Sequence, residues 1–373
     1  MRIGVDVREL ERGRTTGIHR FLTNFLKGAA SRRPSYHYYL FFNQRTEIPF
    51  DQENIRKTFI PEYVTAWWDQ VQLPVRLKKE KIDVFLSPYP KGPLFSPCPV
   101  VLTIHDLITL AYPPYRDTRR MHHFRFKVSA KIMAQRARLI ITDSEHSKKD
   151  IMELLGIPDA KIKIIPLAVD RTPAPTADPP ARRQFLTDKY GIRKKYLLVV
   201  GNFKPHKNIP QLLNAFSGLP ETLKKEYQLV LVGRRDAHFR DVFEKVIRLN
   251  LKEDVISTGH VSDEELDIFY QEAELLLIPS AYEGFGLPAL EAMAHGTPVI
   301  ASNLTSLPEV VGDAALLVNP VHAGDITRAI QEVLGDEDLK SRLAKKGLER
   351  SKLFSQERVT EEILAVVEEA ARK

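Results

Sequence analysis

Short apolar runs alternate with amphipathic stretches along the whole chain, which predicts an α/β fold built on parallel sheets. In the first half, the runs that predict strands are "RIGVDV", "YHYYLFF", "IDVFLS", "VVLTIHD", "RLIITDS" and "KIKIIP". In the second half, they are "YLLVVG", "QLVLVG", "DVISTG", "ELLLIP" and "TPVIAS". Two similar series predict two doubly wound domains, with a ligand at the carboxyl ends of the strands in a cleft between them.

A proline-rich stretch separates the two series, and it is typical of a linker. It carries Pro166, Pro173, Pro175, Pro179 and Pro180. We therefore predict an N-terminal domain over 1–170, a linker over 166–195 and a C-terminal domain over 190–354. The remaining segment, 355–373, has the pattern of an amphipathic helix.

Composition and charge narrow the class of protein. The chain has 373 residues, of which 43% are hydrophobic and 28% are charged, enough for two full cores. Its net charge of +7 suggests an acidic partner, but no nucleic-acid-binding motif is present and we expect no nucleic acid. No apolar run reaches the roughly 20 residues that span a bilayer. Cys98 is the single cysteine and "MRIGVDV" lacks a secretory pattern, so we expect a cytoplasmic protein.

The segment "ELLLIPSAYEGFGLPALEAMAHGTPVIAS" predicts a strand, a glycine-containing turn, a helix and a second strand. Glu283 lies in the turn and Glu291 on the first turns of the helix. A helix start offers unpaired N–H groups that suit phosphate, and Gly284 and Gly286 let a ligand approach the backbone. Carboxylates accept hydrogen bonds from hydroxyl groups. The combination predicts a nucleoside diphosphate sugar, with Glu283 on the sugar and Glu291 on the ribose; the alternative is an ordinary connection with a solvated glutamate.

The Glu-x7-Glu spacing in "EGFGLPALEAMAHGTPVIAS", followed by "NLTSLPEVVGDAALLVNP", resembles the donor-site signature of the family 4 glycosyltransferases. The resemblance covers nearly the whole chain. It implies the GT-B fold, in which two Rossmann-like domains face a cleft and the C-terminal helix, 355–373, joins the N-terminal domain. It also implies a retaining, metal-independent hexosyltransferase. Such an enzyme moves a sugar from a nucleoside diphosphate sugar to a hydroxyl of a glycan or of a lipid-linked acceptor.

The stretch "VVGNFKPHKNIPQLLNAF" places cations in a loop between a strand and a helix. The resemblance implies that Lys207 holds the donor diphosphate. Asn202 stands where some family members carry arginine, and Lys204 either supplies the second charge or is a solvated lysine. The resemblance adds the following donor-binding residues: Gly17, Gly233, Val261, Gly284, Phe285, Gly286 and Leu287.

His105 and Asp106 lie where a buried strand of the first domain ends. The resemblance implies that His105 contacts the transferred sugar, while the alternative is a histidine paired with local backbone. For Asp106 three roles stay open: it orients His105, caps the following turn or meets the acceptor. Arg14, in "GRTTGIHRF", either meets a charged acceptor or is simply exposed.

The segment 116–138 is basic and carries two apolar stripes at helical spacing. One stripe contains Met121, Phe124, Val128 and Ile132, and the other contains Phe126, Ala130, Met133 and Ala137. One of them must face the core. The helix is either fully packed with solvated cations or rests on an anionic membrane that carries a lipid-linked acceptor.

Within the resemblance, Glu283, His105 and Lys207 form the expected catalytic group. Asp336-Glu337-Asp338 matches an Asp-x-Asp metal motif in form but is typical of a helix start, so we expect no metal and no cofactor. "TIHDL" and "GNFKPHKN" resemble bacterial mannosyltransferases of surface polysaccharides, which suggests GDP-mannose as the donor. The alternatives are a nucleotide-sugar epimerase or hydrolase on the same fold, or a non-catalytic subunit that binds sugar nucleotides.

Overall fold

The computed structural model describes residues 1–13, 17–117, 120–169, 178–234 and 239–372. The chain divides into two compact units, each of which is described by itself. Unit 1 is formed by Met1–Ala168 and Gln356–Lys373, and unit 2 by Val169–Ser355. The last segment of the chain therefore belongs to the same unit as the first.

Each unit is built on one parallel sheet. In the described part of unit 1 the strands are β1 (Arg2–Asp6), β2 (His37–Phe42), β3 (Ile55–Phe59), β4 (Val84–Ser87), β5 (Val100–Thr103), β6 (Leu139–Thr142) and β7 (Ile162–Ile164). They are ordered β3-β2-β1-β4-β5-β6-β7. In unit 2 they are β8 (Lys195–Val200), β9 (Tyr227–Val232), β10 (Val255–Gly259), β11 (Leu275–Ile278), β12 (Val299–Ser302) and β13 (Leu316–Val318), ordered β10-β9-β8-β11-β12-β13. The predicted pair of doubly wound sheets is confirmed, and β3 and β13 were not predicted.

Helices connect the strands. They are α1 (Gly17–Arg32), α2 (Thr65–Trp67), α3 (Leu73–Lys79), α4 (Ile108–Ala111), α5 (Pro113–Asp117), α6 (Arg120–Arg136), α7 (Glu145–Leu155), α8 (Pro179–Tyr190), α9 (Ile209–Ser217), α10 (Glu221–Glu226), α11 (Phe239–Arg248), α12 (Asp263–Glu272), α13 (Leu287–Ala294), α14 (Leu307–Val311), α15 (Ala323–Gly335), α16 (Glu337–Ser351) and α17 (Gln356–Ala371). A π-helical segment, Trp68–Gln72, joins α2 to α3, and short 3₁₀ turns cover Asp159–Lys161 and Pro205–Lys207.

Helix α17 completes the core of unit 1. Its buried side chains, among them Ile363 and Leu364, belong to the same apolar cluster as residues of β1, β4 and α1. A Cβ at Gly28 of α1 would lie 2.6 Å from the Thr360 hydroxyl, so the two helices approach more closely than larger residues would allow. Because the central strands β4, β5 and β6 are buried along their whole length, helices must cover both faces of this sheet.

Two glycines let the ends of β8 and β9 pass close to each other. The Gly201 amide donates to the Val232 carbonyl, and the Gly233 amide donates to the Gly259 carbonyl. A Cβ at Gly233 would lie 1.6 Å from the Gly201 carbonyl oxygen, which is backbone and cannot rotate away. Glycine at 233 is therefore required by the packing of the sheet edge, independently of any ligand.

We expect Gly233→Ala to destabilise the protein by about 3 kcal/mol or more, because the backbone of two strand ends must separate. Gly324→Ala is the matched control, since a Cβ there meets no atom within 4 Å and glycine lowers helix stability. Urea unfolding followed by circular dichroism measures both. Equal unfolding midpoints for the two variants would contradict the packing argument.

Candidate functional site

The side chains of Lys207 and Glu283 form an ion pair at the carboxyl edge of the unit 2 sheet. Lys207 Nζ lies 2.7 Å from Glu283 Oε1, and the two side chains are only 16% and 11% exposed. Ser280 Oγ donates to the same oxygen at 2.6 Å. Burial alone would raise the pKa of Glu283, but the adjacent Lys207 cation outweighs it and the pKa is lowered. Glu283 is thus a fixed carboxylate with one oxygen engaged by the protein.

The loop that carries Glu283 is held by a second loop, which follows β12. The Glu283 amide donates to Thr305 Oγ1 at 3.0 Å. Ser306 Oγ donates to the carbonyls of Glu283 and Phe285 at 2.9 and 2.8 Å. Thr305 has a positive φ of 57°, which is uncommon for a β-branched residue. These contacts fix the backbone of the turn before α13, and the sequence did not predict Thr305 or Ser306 as its supports.

Gly286 begins α13 in a left-handed conformation, with φ of 115°. No side chain caps this helix start. A Cβ at Gly286 would lie 2.6 Å from Leu307 Cδ2, so both the φ angle and the packing favour glycine. Phe285 is buried with its ring edge-on to Phe354, which anchors the turn, and Leu287 is half-buried beside it. Pro288 has no N–H, and the Ala289 amide donates to the Gly286 carbonyl at 2.9 Å, so this helix start suits an anionic group mainly through its partial positive charge.

Glu291 lies one turn into α13, where Tyr270 of α12 donates its phenol to Glu291 Oε2 at 2.7 Å. His295 stacks on the Tyr270 ring with centroids 5.4 Å apart, and its Nδ1 lies 2.8 Å from the Glu291 carbonyl. The pair predicted from Glu-x7-Glu spacing is therefore present on one turn and one helix. Tyr270, which orients the second carboxylate, was not predicted.

The loop after β8 brings further polar groups to the same edge. Gly201 has a φ of 144°, and a Cβ there would meet the Lys207 side chain at 3.3 Å. Asn202 Oδ1 is buried and accepts no hydrogen bond within the part of the chain that the structure describes. Burial and then Lys207 lower the pKa of His206 to about 4, so this imidazole is neutral. Lys204 is exposed at the start of the 3₁₀ turn.

Within the described part of the chain, the other predicted site residues show no feature that points to a ligand. Gly233 is explained by the strand packing described above, and Val261 is buried in unit 2. Gly17 is the first residue of α1 in unit 1, and Arg14 lies outside the described residues. Their contacts with a ligand stay predictions.

In unit 1, His105 is oriented by Asp143 rather than by Asp106. His105 Nδ1 lies 2.8 Å from Asp143 Oδ2, and the Phe21 ring stands edge-on to the imidazole. Burial alone would lower the pKa of His105, but Asp143 outweighs it and the pKa is raised. Asp106 accepts a hydrogen bond from the Ile108 amide at 3.0 Å, the helix-start role that was one of the three left open.

A buried charged cluster lies at the same edge of the unit 1 sheet, where β1 and β4 end. The Arg8 guanidinium donates to Asp6 at 2.7 Å and to Asp69 at 2.6 Å, and it lies 3.6 Å above the Trp68 ring. Tyr89 donates its phenol to Asp6. Burial raises the pKa of Tyr89 well above its usual value, so the phenol keeps its proton. Sequence reasoning missed this cluster, although the Asp-x-Arg spacing at the end of a predicted strand was a visible signal.

Two motifs act as helix caps, and the second was predicted from the sequence. Ser262 and Glu265 form a capping box at the start of α12. Asp336 accepts a hydrogen bond from the Leu339 amide at the start of α16. Among the described residues, no group of three or more His, Cys, Asp or Glu side chains could hold a metal ion. No helix in the described ranges is long and apolar enough to cross a membrane.

Comparisons with known proteins assign the chain to a family. The model described as "Glycosyltransferase Family 4" matches residues 15–172, and "Glycosyl transferases group 1" matches residues 183–350. The O-antigen chain mannosyltransferase B of Escherichia coli is 36% identical over 70% of this chain and 68% of its own length. The serotype-specific mannosyltransferase WbdA of Escherichia coli is 32% identical over 69% of this chain. The matched region covers 32% of that longer protein.

The fold has close counterparts among solved structures. Sucrose-phosphate synthase from Thermosynechococcus elongatus superposes with a TM-score of 0.80, at 22% identity, over 99% of this chain and 98% of the other. The two parallel-sheet units are those of a glycosyltransferase of the GT-B class. The chain belongs to the family 4 glycosyltransferases, enzymes that transfer a sugar from a nucleotide sugar.

The geometry of the ion pair predicts a strong energetic coupling between Lys207 and Glu283. We expect Lys207→Met or Glu283→Gln alone to lower the free energy of unfolding by about 3 kcal/mol, because each leaves a nearly buried group without its partner. The double variant should lose less than the sum of the two single losses, by about 1 kcal/mol or more. Urea unfolding of all four proteins measures this coupling. Strictly additive losses would show that the two side chains are not energetically coupled and would contradict the prediction.

Proposed function

We propose that this protein is a retaining, metal-independent mannosyltransferase that takes mannose from GDP-mannose and transfers it to a hydroxyl of a growing surface glycan or of a lipid-linked acceptor. The observation that carries the proposal is the way Glu283 is bound. Its Oε1 is engaged by Lys207 and Ser280, while Oε2 has no hydrogen-bond partner among the described residues. An ionised oxygen held in this way can accept hydrogen bonds from sugar hydroxyls.

Lys207 and the start of α13 suit the leaving group. Lys207 uses one of its N–H groups for Glu283, which leaves others for a diphosphate oxygen. The helix start after Gly286 adds a partial positive charge. Both stabilise negative charge that grows on the diphosphate as the glycosidic bond breaks. Glu291, oriented by Tyr270, takes the ribose hydroxyls.

The arrangement favours retention without an enzymatic nucleophile. Glu283 carries a lowered pKa and a cation on one oxygen, which suits a hydrogen-bond acceptor better than a carboxylate that attacks carbon. We propose a front-face reaction in which the leaving phosphate accepts the acceptor's hydroxyl proton. His105, held by Asp143 in unit 1, supports the sugar, and Asn202 and Lys204 complete the donor side.

The choice of mannose is supported by the named relatives. The two Escherichia coli relatives reported above are both mannosyltransferases, and the first is at least a third identical over two thirds of its own length. An O-antigen chain is a surface polysaccharide, which supports a glycan hydroxyl as the acceptor.

The donor assignment predicts which nucleotide sugar binds best and how one substitution, at Glu283, affects binding and transfer. GDP-mannose should raise the melting temperature more than UDP-glucose or ADP-glucose does. Glu283→Gln should bind GDP-mannose no more tightly than GDP, because the sugar contact is weakened, and should lower kcat about 100-fold. Calorimetric titration and radiolabelled mannose transfer measure both. Normal transfer by a folded Glu283→Gln enzyme would overturn the site.

Product analysis separates this reaction from its alternatives. Mannose should leave GDP-mannose rapidly only when acceptor is present, and NMR of the product should show the donor's anomeric configuration. Equal consumption of donor without acceptor would indicate a hydrolase or an epimerase. Activity that survives exhaustive chelation is the expected outcome for a metal-independent enzyme.

We also propose that the protein contacts an anionic membrane through α6. The residues Met121, Phe124, Val128 and Ile132, here called the exposed stripe, are 72%, 64%, 39% and 38% exposed. The other stripe of the same helix, which includes Ala130, Met133 and Ala137, is buried in unit 1. Exposed cations flank the stripe, namely Arg125, Lys127, Lys131 and Arg136. An apolar row edged by cations is the surface that partitions into an anionic bilayer interface.

The membrane contact predicts that Phe124→Ser/Val128→Ser weakens binding to phosphatidylglycerol vesicles by about tenfold or more, since two partly exposed apolar groups leave the interface. Phe243→Ser/Ile247→Ser on α11 is the matched control, with the same spacing and 50% and 44% exposure. Vesicle co-sedimentation measures both. A similar loss in the two variants, or binding equal to the parent in both, would remove α6 from the interface.

A further inference from the structure

A pocket of about 770 Å³ lies in unit 1, at the amino ends of its strands. Val100 begins β5 there, Arg138 immediately precedes β6, and Lys161 immediately precedes β7. Since the strands are parallel, this edge of the sheet is opposite the one that carries His105. The volume falls in the range of about 300–1,000 Å³ typical of small-molecule sites. We call this site the basic pocket.

The charged side chains that line the basic pocket are all cations. They are Lys78, Arg136, Arg138 and Lys161, and no Asp or Glu lines it. None of the four forms an ion pair with an acidic residue of the described chain, although neighbouring lysines do. Lys163, two residues beyond Lys161, pairs with Glu369 at 3.0 Å, and Lys148 pairs with Asp159 at 2.6 Å. The pocket therefore holds four cations without an ion-pair partner among the described residues, which favours an anionic occupant.

Partial burial of Lys161 increases the stabilisation that a bound anion would provide. Desolvation lowers the pKa of Lys161, and no carboxylate opposes the effect. Lys161 Nζ donates to the Gln135 carbonyl at 2.6 Å, which holds the ammonium group in place at the end of α6. The Arg136 guanidinium lies 5.1 Å from the centre of the Phe95 ring, an arrangement that positions its N–H groups. Lys161 and Arg136 are thus already oriented before any ligand arrives.

The rest of the lining is apolar. Val75, Leu94, Phe95 and Met133 contribute aliphatic or aromatic surface, and Phe95 is 76% exposed. A small inorganic anion uses none of this surface. A molecule with a phosphate and a hydrocarbon chain uses both parts, with the phosphate on the cations and the chain on the apolar wall.

The pocket is continuous with the exposed stripe of α6. Ile132 ends the stripe, and Arg136 follows one helical turn later on the same face and lines the pocket. A membrane in contact with the stripe therefore lies next to the pocket opening. This continuity selects one source of the phosphate, a lipid of the membrane itself.

We propose that the basic pocket binds the phosphate headgroup of an anionic membrane lipid, with the adjoining acyl chain on Phe95, Leu94 and Met133. The choice of a membrane lipid as the occupant depends on the proposed membrane contact of α6. The expected binding of a phosphate with an apolar chain does not depend on it. The site is separate from the donor site in unit 2. It adds a specific lipid contact to a surface that otherwise attracts anionic bilayers only by net charge and apolar area.

A short-chain lipid tests the pocket without a membrane. Phe95→Trp places a fluorescent reporter in the lining, and the signal of Trp67 and Trp68 is subtracted with the parent protein. Dihexanoylphosphatidylglycerol, kept below its micelle concentration, should shift the reporter emission to the blue in a saturable way. Inorganic phosphate should bind at least about tenfold more weakly, because it lacks the apolar part.

Charge-matched variants assign the binding to the pocket. Arg138→Ala/Lys161→Ala in the reporter background should weaken lipid binding by about tenfold or more. Lys27→Ala/Arg56→Ala removes two exposed cations elsewhere in unit 1 and should leave it unchanged. Melting curves of both variants check that each is folded.

Three outcomes would overturn the proposal: no saturable shift with the lipid, equal affinity for inorganic phosphate, or equal loss in the two double variants. Because the lipid is monomeric and no donor is present, these outcomes say nothing about mannose transfer or about the exposed stripe. Conversely, saturable lipid binding that fails only in the Arg138/Lys161 variant supports the pocket even if the stripe variants bind vesicles normally.

Discussion

The ion pair between Lys207 and Glu283 joins two loops that are 76 residues apart in the chain, and it fixes the geometry of the proposed donor site. The loops follow β8 and β11, which are neighbours in the sheet, so their carboxyl ends arrive at the same place. Placing a lysine and a glutamate where they are 16% and 11% exposed costs desolvation free energy, which a close contact only partly offsets. A ligand that binds the second Glu283 oxygen and the remaining Lys207 N–H groups would explain why such a pair is present. Glu283 keeps one oxygen and Lys207 keeps N–H donors, so the roles assigned to them separately depend on each other.

The sequence predicted most of the fold because its strands are buried, and buried strands are recognisable as apolar runs. It missed β3 and β13 for physical reasons. The sequence "IRKTF" of β3 has exposed or half-exposed residues at every position after the first, as befits an edge strand. The strand β13 is an edge strand of the unit 2 sheet, and its three residues are too few to show a pattern. The donor turn was visible for a different reason, since strand, glycine turn and helix are consecutive in the chain.

The partners of the site residues could not be predicted in the same way. His105 was placed at a strand end, but Asp143 follows the next strand, 38 residues later. Thr305 and Ser306 reach the turn before α13 from the loop after β12, and Tyr270 reaches Glu291 from α12. Asp69 reaches Arg8 from 61 residues away. Each is an ordinary polar residue in its local context. Parallel strands bring such residues together at one edge of the sheet. The sequence pattern therefore predicted that a polar residue lies at a strand end, but it did not predict which residue it contacts.

The sequence pattern of helix α6 does not determine which of its two apolar stripes faces the core; the packing of the helix determines it. Both of its stripes have helical spacing, and either could have faced the core. The buried face of α6 contains the small residues Ala130 and Ala134, which let the helix approach the sheet closely. The stripe with the larger side chains Met121 and Phe124 is left in solvent, which costs about 1.5–3 kcal/mol for each large apolar group that fails to be buried. Folding alone does not recover that free energy. A surface that covers the stripe would recover it, and the cations beside the stripe favour an anionic surface, which is the reason for the membrane contact that we propose.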